Sequence, residues 1–124
     1  MEKIYASIIL PAFNEEKAMG IVIDDIQKVM SQTSYAYELF VVDDASSDRT
    51  VEIAKSKGIE VICHPFQRGS GAARKTGIRH AKGDIIVMMV ADGTYDVNDI
   101  PKMLALFPKV DQVIGARTCE KGTL

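Results

Sequence analysis

Five short apolar runs punctuate the chain: Ala6–Leu10, Leu39–Val42, Ile59–Cys63, Ile85–Val90 and Gln112–Ile114. They are rich in Val and Ile and show little alternation of apolar with polar positions. Strands covered on both faces read this way, which is the pattern of a parallel sheet. Amphipathic stretches lie between them. From Asn14, an expected N-cap, apolar residues recur at helical spacing at Ala18, Ile21, Val22, Ile26, Val29 and Met30. A second helix is expected over about residues 48–57, with Val51, Ile53 and Ala54 inward and Gly58 as terminator. A third spans about 71–81 and stops at Gly83. A fourth starts near Asn98 and carries Ile100, Met103, Leu104 and Phe107, with Pro101 accommodated in its first turn. Strand and helix alternate throughout. With right-handed crossovers this order predicts an α/β fold, a three-layer α/β/α sandwich on a mostly parallel, Rossmann-like sheet.

Composition narrows the picture only a little. A chain of 124 residues, 47% hydrophobic and 26% charged, suits one globular domain. The formal charge of −2 argues against a broad nucleic-acid-binding surface. The longest apolar run, Ile85 to Ala91, is far too short to cross a bilayer. Glu2 and Lys3 precede the first strand, so the N-terminus does not read as a secretory signal. Cys63 and Cys119 have neither metal nor disulfide spacing, and a cytoplasmic location is the expectation.

An open parallel sheet binds ligands beyond the carboxyl ends of its strands, so the chemistry is sought there. Pro11-Ala12-Phe13-Asn14-Glu15-Glu16 is expected to end the first strand and expose helix N–H groups, or to be simply a capped turn. Asp43 and Asp44 are adjacent carboxylates, suited to accept from a ribose or a base N–H; Asp44, Ser46 or Ser47 as a helix cap is the plainer reading. In His64-Pro65-Phe66-Gln67-Arg68-Gly69-Ser70-Gly71-Ala72-Ala73-Arg74, small residues permit close backbone approach and Arg68 and Arg74 offer forked donors to phosphate. His64 is read as a loop residue. Asp92, in Ala91-Asp92-Gly93-Thr94-Tyr95-Asp96, suits a hard cation shared with substrate phosphate, or marks a surface turn. Arg117 follows the fifth strand and would hold a phosphate.

In order and spacing these segments resemble family 2 glycosyltransferases of the GT-A fold, and among them the dolichyl-phosphate mannose synthase-like branch. The resemblance rests on Ser7–Glu16, Val41–Thr50, Arg68–Ile78, Ala81–Asp84, Ala91–Asp96 and Val113–Arg117. It implies that residues 1–124 are the nucleotide-sugar-binding half of a GT-A domain, with the acceptor-binding half absent. The implied donor is a UDP- or GDP-linked sugar, and the implied reaction is inverting transfer, with a polyprenyl (lipid) phosphate as acceptor and peripheral contact with the membrane carrying it. Pro11, Ala12, Phe13 and Glu15 inherit packing on the base. Asp43 and Asp44 inherit the base and ribose. Arg68, Ala91, Thr94 and Arg117 line the donor, and Asp92 is the remaining acid of the Asp-x-Asp motif that binds Mg2+ or Mn2+.

The chain departs from that pattern at Val90, which stands where the motif has its first acid. A catalytically incomplete nucleotide-binding homologue is therefore the alternative. A response-regulator receiver would need paired acids after the first strand and a Lys after the fifth. A nucleotidyltransferase would need a Gly-rich basic loop after the first strand. Neither is present. An open sheet edge also predicts self-association into a homo-oligomer.

Overall fold

The computed structural model describes residues 3–94 and 96–106. Strands β1 (Ala6–Ala12), β2 (Tyr37–Asp43), β3 (Glu60–Cys63) and β4 (Ile85–Met88) alternate with helices α1 (Glu16–Ser31), α2 (Thr50–Ser56), α3 (Ser70–His80) and α4 (Asp99–Leu104). All strand pairs are parallel, in the order β3-β2-β1-β4. The expected fifth strand at 112–114, Phe107, Arg117 and Cys119 fall outside the described residues.

Strand residues do alternate, but between two apolar environments. Ile8 and Leu10, with their β2 partners Leu39 and Val41, join Met19, Val22, Ile23, Ile26 and Met30 of α1, Ala54 of α2 and Ile100 and Leu104 of α4 in one core. Ile9, Phe40 and Val42 meet Ala73 of α3 in a second. Helices thus cover both faces, which is why the apolar runs look continuous in the sequence. The three layers are as expected.

Two local expectations are corrected. Strand β1 does not end before Pro11 but continues to Ala12, paired with Asp43. The Asp44 N–H donates to the Ala12 carbonyl at 2.9 Å, and the Met89 N–H donates to the Ile9 carbonyl at 3.1 Å. Alternate residues therefore address opposite neighbours, and Pro11 faces the β4 side just beyond the last β4 pair, Ile9 with Met88. Its missing N–H costs no ladder bond there. Helix α1 is also rotated from the expected face: Met19 and Ile23 are buried, while Ile21 is 64% exposed.

Helix α3 lies close on the sheet because Gly77 has no side chain. A Cβ at that position would stand 2.6 Å from Ile9 Cγ2, whereas one on Gly71 of the same helix would meet nothing within 4 Å. Gly77→Ala is expected to destabilise the fold by about 1–3 kcal/mol through overpacking. Gly71→Ala is expected to stabilise it by about 0.5 kcal/mol, through a less flexible unfolded chain and better helix propensity. Chemical denaturation of the two variants checks the opposite signs.

Candidate functional site

Because every strand runs the same way, the turns after β1, β2, β3 and β4 share one rim. Pro11 and Ala12 are buried in the end of β1, and Phe13, 40% exposed, follows at the surface. Asp43 ends β2, Asp44 follows it, and both are buried. Arg68 is exposed in the loop entering α3, Ala91 is buried beyond β4, and Asp92 and Thr94 follow it. Arg117 lies outside the described residues.

The first two turns are clamped together by side chains that cap each other's helices. Asn14 is not the cap of α1. It takes a left-handed φ of 54°, its N–H donates to Ser46 Oγ at 2.7 Å, and its Oδ1 accepts from the Ser47 N–H at 2.8 Å. Asp48 does the capping. One carboxylate oxygen accepts from the Thr50 N–H at 2.9 Å and the other from the Glu16 N–H at 3.2 Å, so one side chain serves the first turns of α1 and α2. Thr50 Oγ1 accepts from the Glu15 N–H at 2.8 Å, and Glu16 Oε1 accepts from the Arg49 N–H at 3.0 Å. The Asp-x-Thr spacing ahead of α2 is the sequence signal for a local cap; nothing in the sequence announces that it also reaches α1.

Asp44 organises the turn after β3. Its Oδ1 accepts from the Arg68 N–H and its Oδ2 from the Gly69 N–H, each at 2.8 Å. His64 Nδ1 lies 2.8 Å from Asp44 Oδ1, and its Nε2 lies 2.8 Å from Thr76 Oγ1 on α3. Since a carboxylate only accepts, Nδ1 carries the proton. His64 is thus not a plain loop residue but a buried strut between β2 and α3. Gly69, at φ 99°, supplies the left-handed turn that lets both N–H groups converge. Among the described residues Asp43 is bound by Ser46 alone, through Oγ at 2.6 Å and N–H at 2.8 Å, which leaves acceptor capacity on both oxygens.

The fourth turn is acidic. Asp92 Oδ1 accepts from Thr94 Oγ1 at 2.6 Å and from the Thr94 N–H at 3.0 Å. Burial, followed by the negative charges of Asp92 and Asp48, raises the Glu15 carboxyl above its ordinary value. The turns after β1, β2 and β4 are therefore electrostatically in touch. No group of three or more His, Cys, Asp or Glu able to hold a metal occurs among the described residues.

The family model of glycosyl transferase family 2 matches residues 7–123. The chain belongs to this family. An uncharacterized protein of Methanocaldococcus jannaschii is 38% identical over 94% of the chain and 48% of its own length. A dolichyl-phosphate beta-glucosyltransferase of Trichomonas vaginalis is 31% identical over 94% of the chain and 40% of its own. The crystal structure of glucosyl-3-phosphoglycerate synthase from Mycobacterium tuberculosis with Mn2+ and UDP-glucose superposes with a TM-score of 0.71 at 28% identity, over 82% of this chain and 38% of that one. The chain thus spans less than half the length of these relatives. The GT-A-type α/β fold implied by the sequence resemblance is borne out.

Acid should dissolve this rim of the family 2 domain. Burial pushes the Asp44 carboxyl up, but the His64, Arg68 and Gly69 bonds outweigh it and hold the group below its ordinary 3.8. Asp48 is also held below 3.8, with burial opposed by bonds from Thr50 and Glu16. A folded-state value below the unfolded one contributes stability that is complete above the unfolded value and is lost as pH falls through the folded one. The contribution of Asp44 and Asp48 should therefore be level above about pH 5 and decline below about pH 4. Asp44→Asn should cost about 1.5–3 kcal/mol at neutral pH and flatten that decline, as read by urea melts across the range.

Proposed function

We propose that this chain is the donor-binding half of an inverting nucleotide-sugar glycosyltransferase. The observation that carries the reading is the arrangement of Phe13, Glu15, Asp43, Arg68 and Asp92 in turns along one sheet rim, within a match to the family spanning residues 7–123. The donor is a UDP- or GDP-linked sugar, and the acceptor of the whole protein is a lipid phosphate. Phe13 lies against the base, with Pro11 and Ala12 forming the floor. Asp43 accepts from the base or ribose. Asp44 works through the turn it shapes, presenting Arg68 to the diphosphate. Ala91 and Thr94 line the sugar side, and Arg117 joins the phosphates.

The donor set suits a divalent metal held jointly with a diphosphate. Magnesium and manganese sites of this kind take one or two carboxylates plus phosphate oxygens. Asp92 is the carboxylate, with Glu15 in its field and Val90 contributing no ligand. When bound, the metal supplies charge stabilisation to the departing diphosphate. In the transfer, the bond from the anomeric carbon to the diphosphate oxygen breaks as the acceptor oxygen bonds to that carbon from the opposite face. A lipid-phosphate oxygen is already ionised and needs no strong base. No helix among the described residues is long and apolar enough to cross a membrane; the proposed location is the cytoplasm, with peripheral contact where such an acceptor lies.

Isothermal titration with UDP and GDP, with and without Mn2+, tests the reading. Expected are binding of one nucleotide, at least about tenfold tighter with metal, and loss of that gain in Asp92→Asn, a change of about 1.4 kcal/mol. Val90→Asp should increase the metal dependence. Binding of neither nucleotide overturns the donor site, and metal-independent binding favours the incomplete homologue that Val90 motivates.

Self-association is part of the proposal. β3 pairs only with β2 among the described residues, and an edge of this kind invites pairing with a second copy. Light scattering at high concentration should report a dimer or larger; a strict monomer contradicts it.

A further inference from the structure

The charge of this chain is segregated. Residues 61–83 contain Arg68, Arg74, Lys75, Arg79 and Lys82 and not one Asp or Glu, within a chain of formal charge −2. Helix α3 turns the middle of this segment outward. Its buried side is Ala73 and Gly77, against β1 and β2. Arg74, Lys75, Ile78 and Arg79, at helical spacing on the opposite side, are all exposed, and Lys82 follows in the connection to β4. None of these cations forms a salt bridge with a described residue. The acids that border the segment are engaged elsewhere, Glu60 with His80 and Asp84 with Lys3.

The cations are not alone on this surface: Ile78, in their midst, is 51% exposed. Beside the helix an open groove of about 460 Å³ is lined by Ile62, Thr76, Arg79 and His80, pairing a guanidinium with an apolar wall.

We propose that the outer face of α3 is a docking surface for an anionic lipid bilayer. Cations at helical spacing with no salt bridge among the described residues match a negative surface, each contributing on the order of 1 kcal/mol close to it. The exposed aliphatic Ile78 among them and the apolar wall of the adjoining groove favour a membrane interface over a nucleic-acid backbone, where they would gain nothing. The inference deepens the peripheral location proposed above but does not depend on donor binding, because none of Lys75, Ile78, Arg79 and Lys82 is assigned to the rim.

The test is co-sedimentation of the purified chain with vesicles. One set is phosphatidylcholine alone, and the other contains about one-third phosphatidylglycerol. Expected is binding to the anionic set only, weakening as salt rises and the screening length falls toward a few ångströms. Lys75→Gln/Arg79→Gln/Lys82→Gln should weaken it about a hundredfold. Lys75→Arg/Lys82→Arg should keep it, and Ile78→Ser should lower affinity without changing the salt slope. All are surface changes, and unaltered melting and UDP or GDP affinity separate failure here from failure of the donor site. Equal binding to neutral vesicles, no loss in the triple Gln variant, or displacement by equimolar RNA overturns the proposal.

Discussion

The rim of this sheet depends on two carboxylates, the buried Asp44 and the half-buried Asp48, that accept backbone N–H groups from turns other than their own. A parallel sheet delivers each strand end to the same edge and then requires a tight reversal into a helix. Every such reversal leaves helix N–H groups without partners. Here Asp48 satisfies N–H groups on α1 and α2 together, while Asp44, at the end of β2, gathers the turn after β3. Hydrogen bonds to a charged acceptor are the stronger kind, and both groups are held in their charged form below the usual carboxylate value. The turns are thereby preorganised as one unit.

This division of labour recasts the acidic pair after β2. Two neighbouring carboxylates would repel if left bare. They are instead directed to different tasks, Asp43 to the hydroxyl and N–H of Ser46 and Asp44 to His64 and the Arg68–Gly69 backbone. Neither needs a ligand to be tolerated in the fold. Asp43 keeps acceptor capacity and Asp44 shapes the backbone around Arg68, so the proposed donor-binding role would reach the two by different routes.

The layers, the parallel order and the gathering of the turns on one rim were legible from the sequence, because burial on both faces leaves a simple trace in Val- and Ile-rich runs. The clamp was not. Asn14, Asp48 and His64 each act across more than ten positions of sequence, whereas capping signals are read within three or four residues. The end of β1 was misplaced for a related reason: Pro11 breaks a strand only when its N–H side has a neighbour, and whether one is present is a matter of tertiary pairing. The exposed Ile21 shows the same limit, since helical spacing permits neighbouring faces and only packing selects between them.

Val90 belongs to this electrostatic picture rather than standing apart as a missing residue. Glu15 is already pushed up by burial and by the charges of Asp92 and Asp48. An acid at position 90 would add negative charge to the same turns and would be repelled whenever no cation was present. Its replacement by an apolar side chain lowers that repulsion in the nucleotide-free protein and, by the same argument, weakens the field that would hold a metal. In the proposed donor site a cation would then draw more of its ligands from a bound diphosphate. The consequence for the proposed site would be an ordering, with metal arriving together with the nucleotide favoured over metal arriving alone.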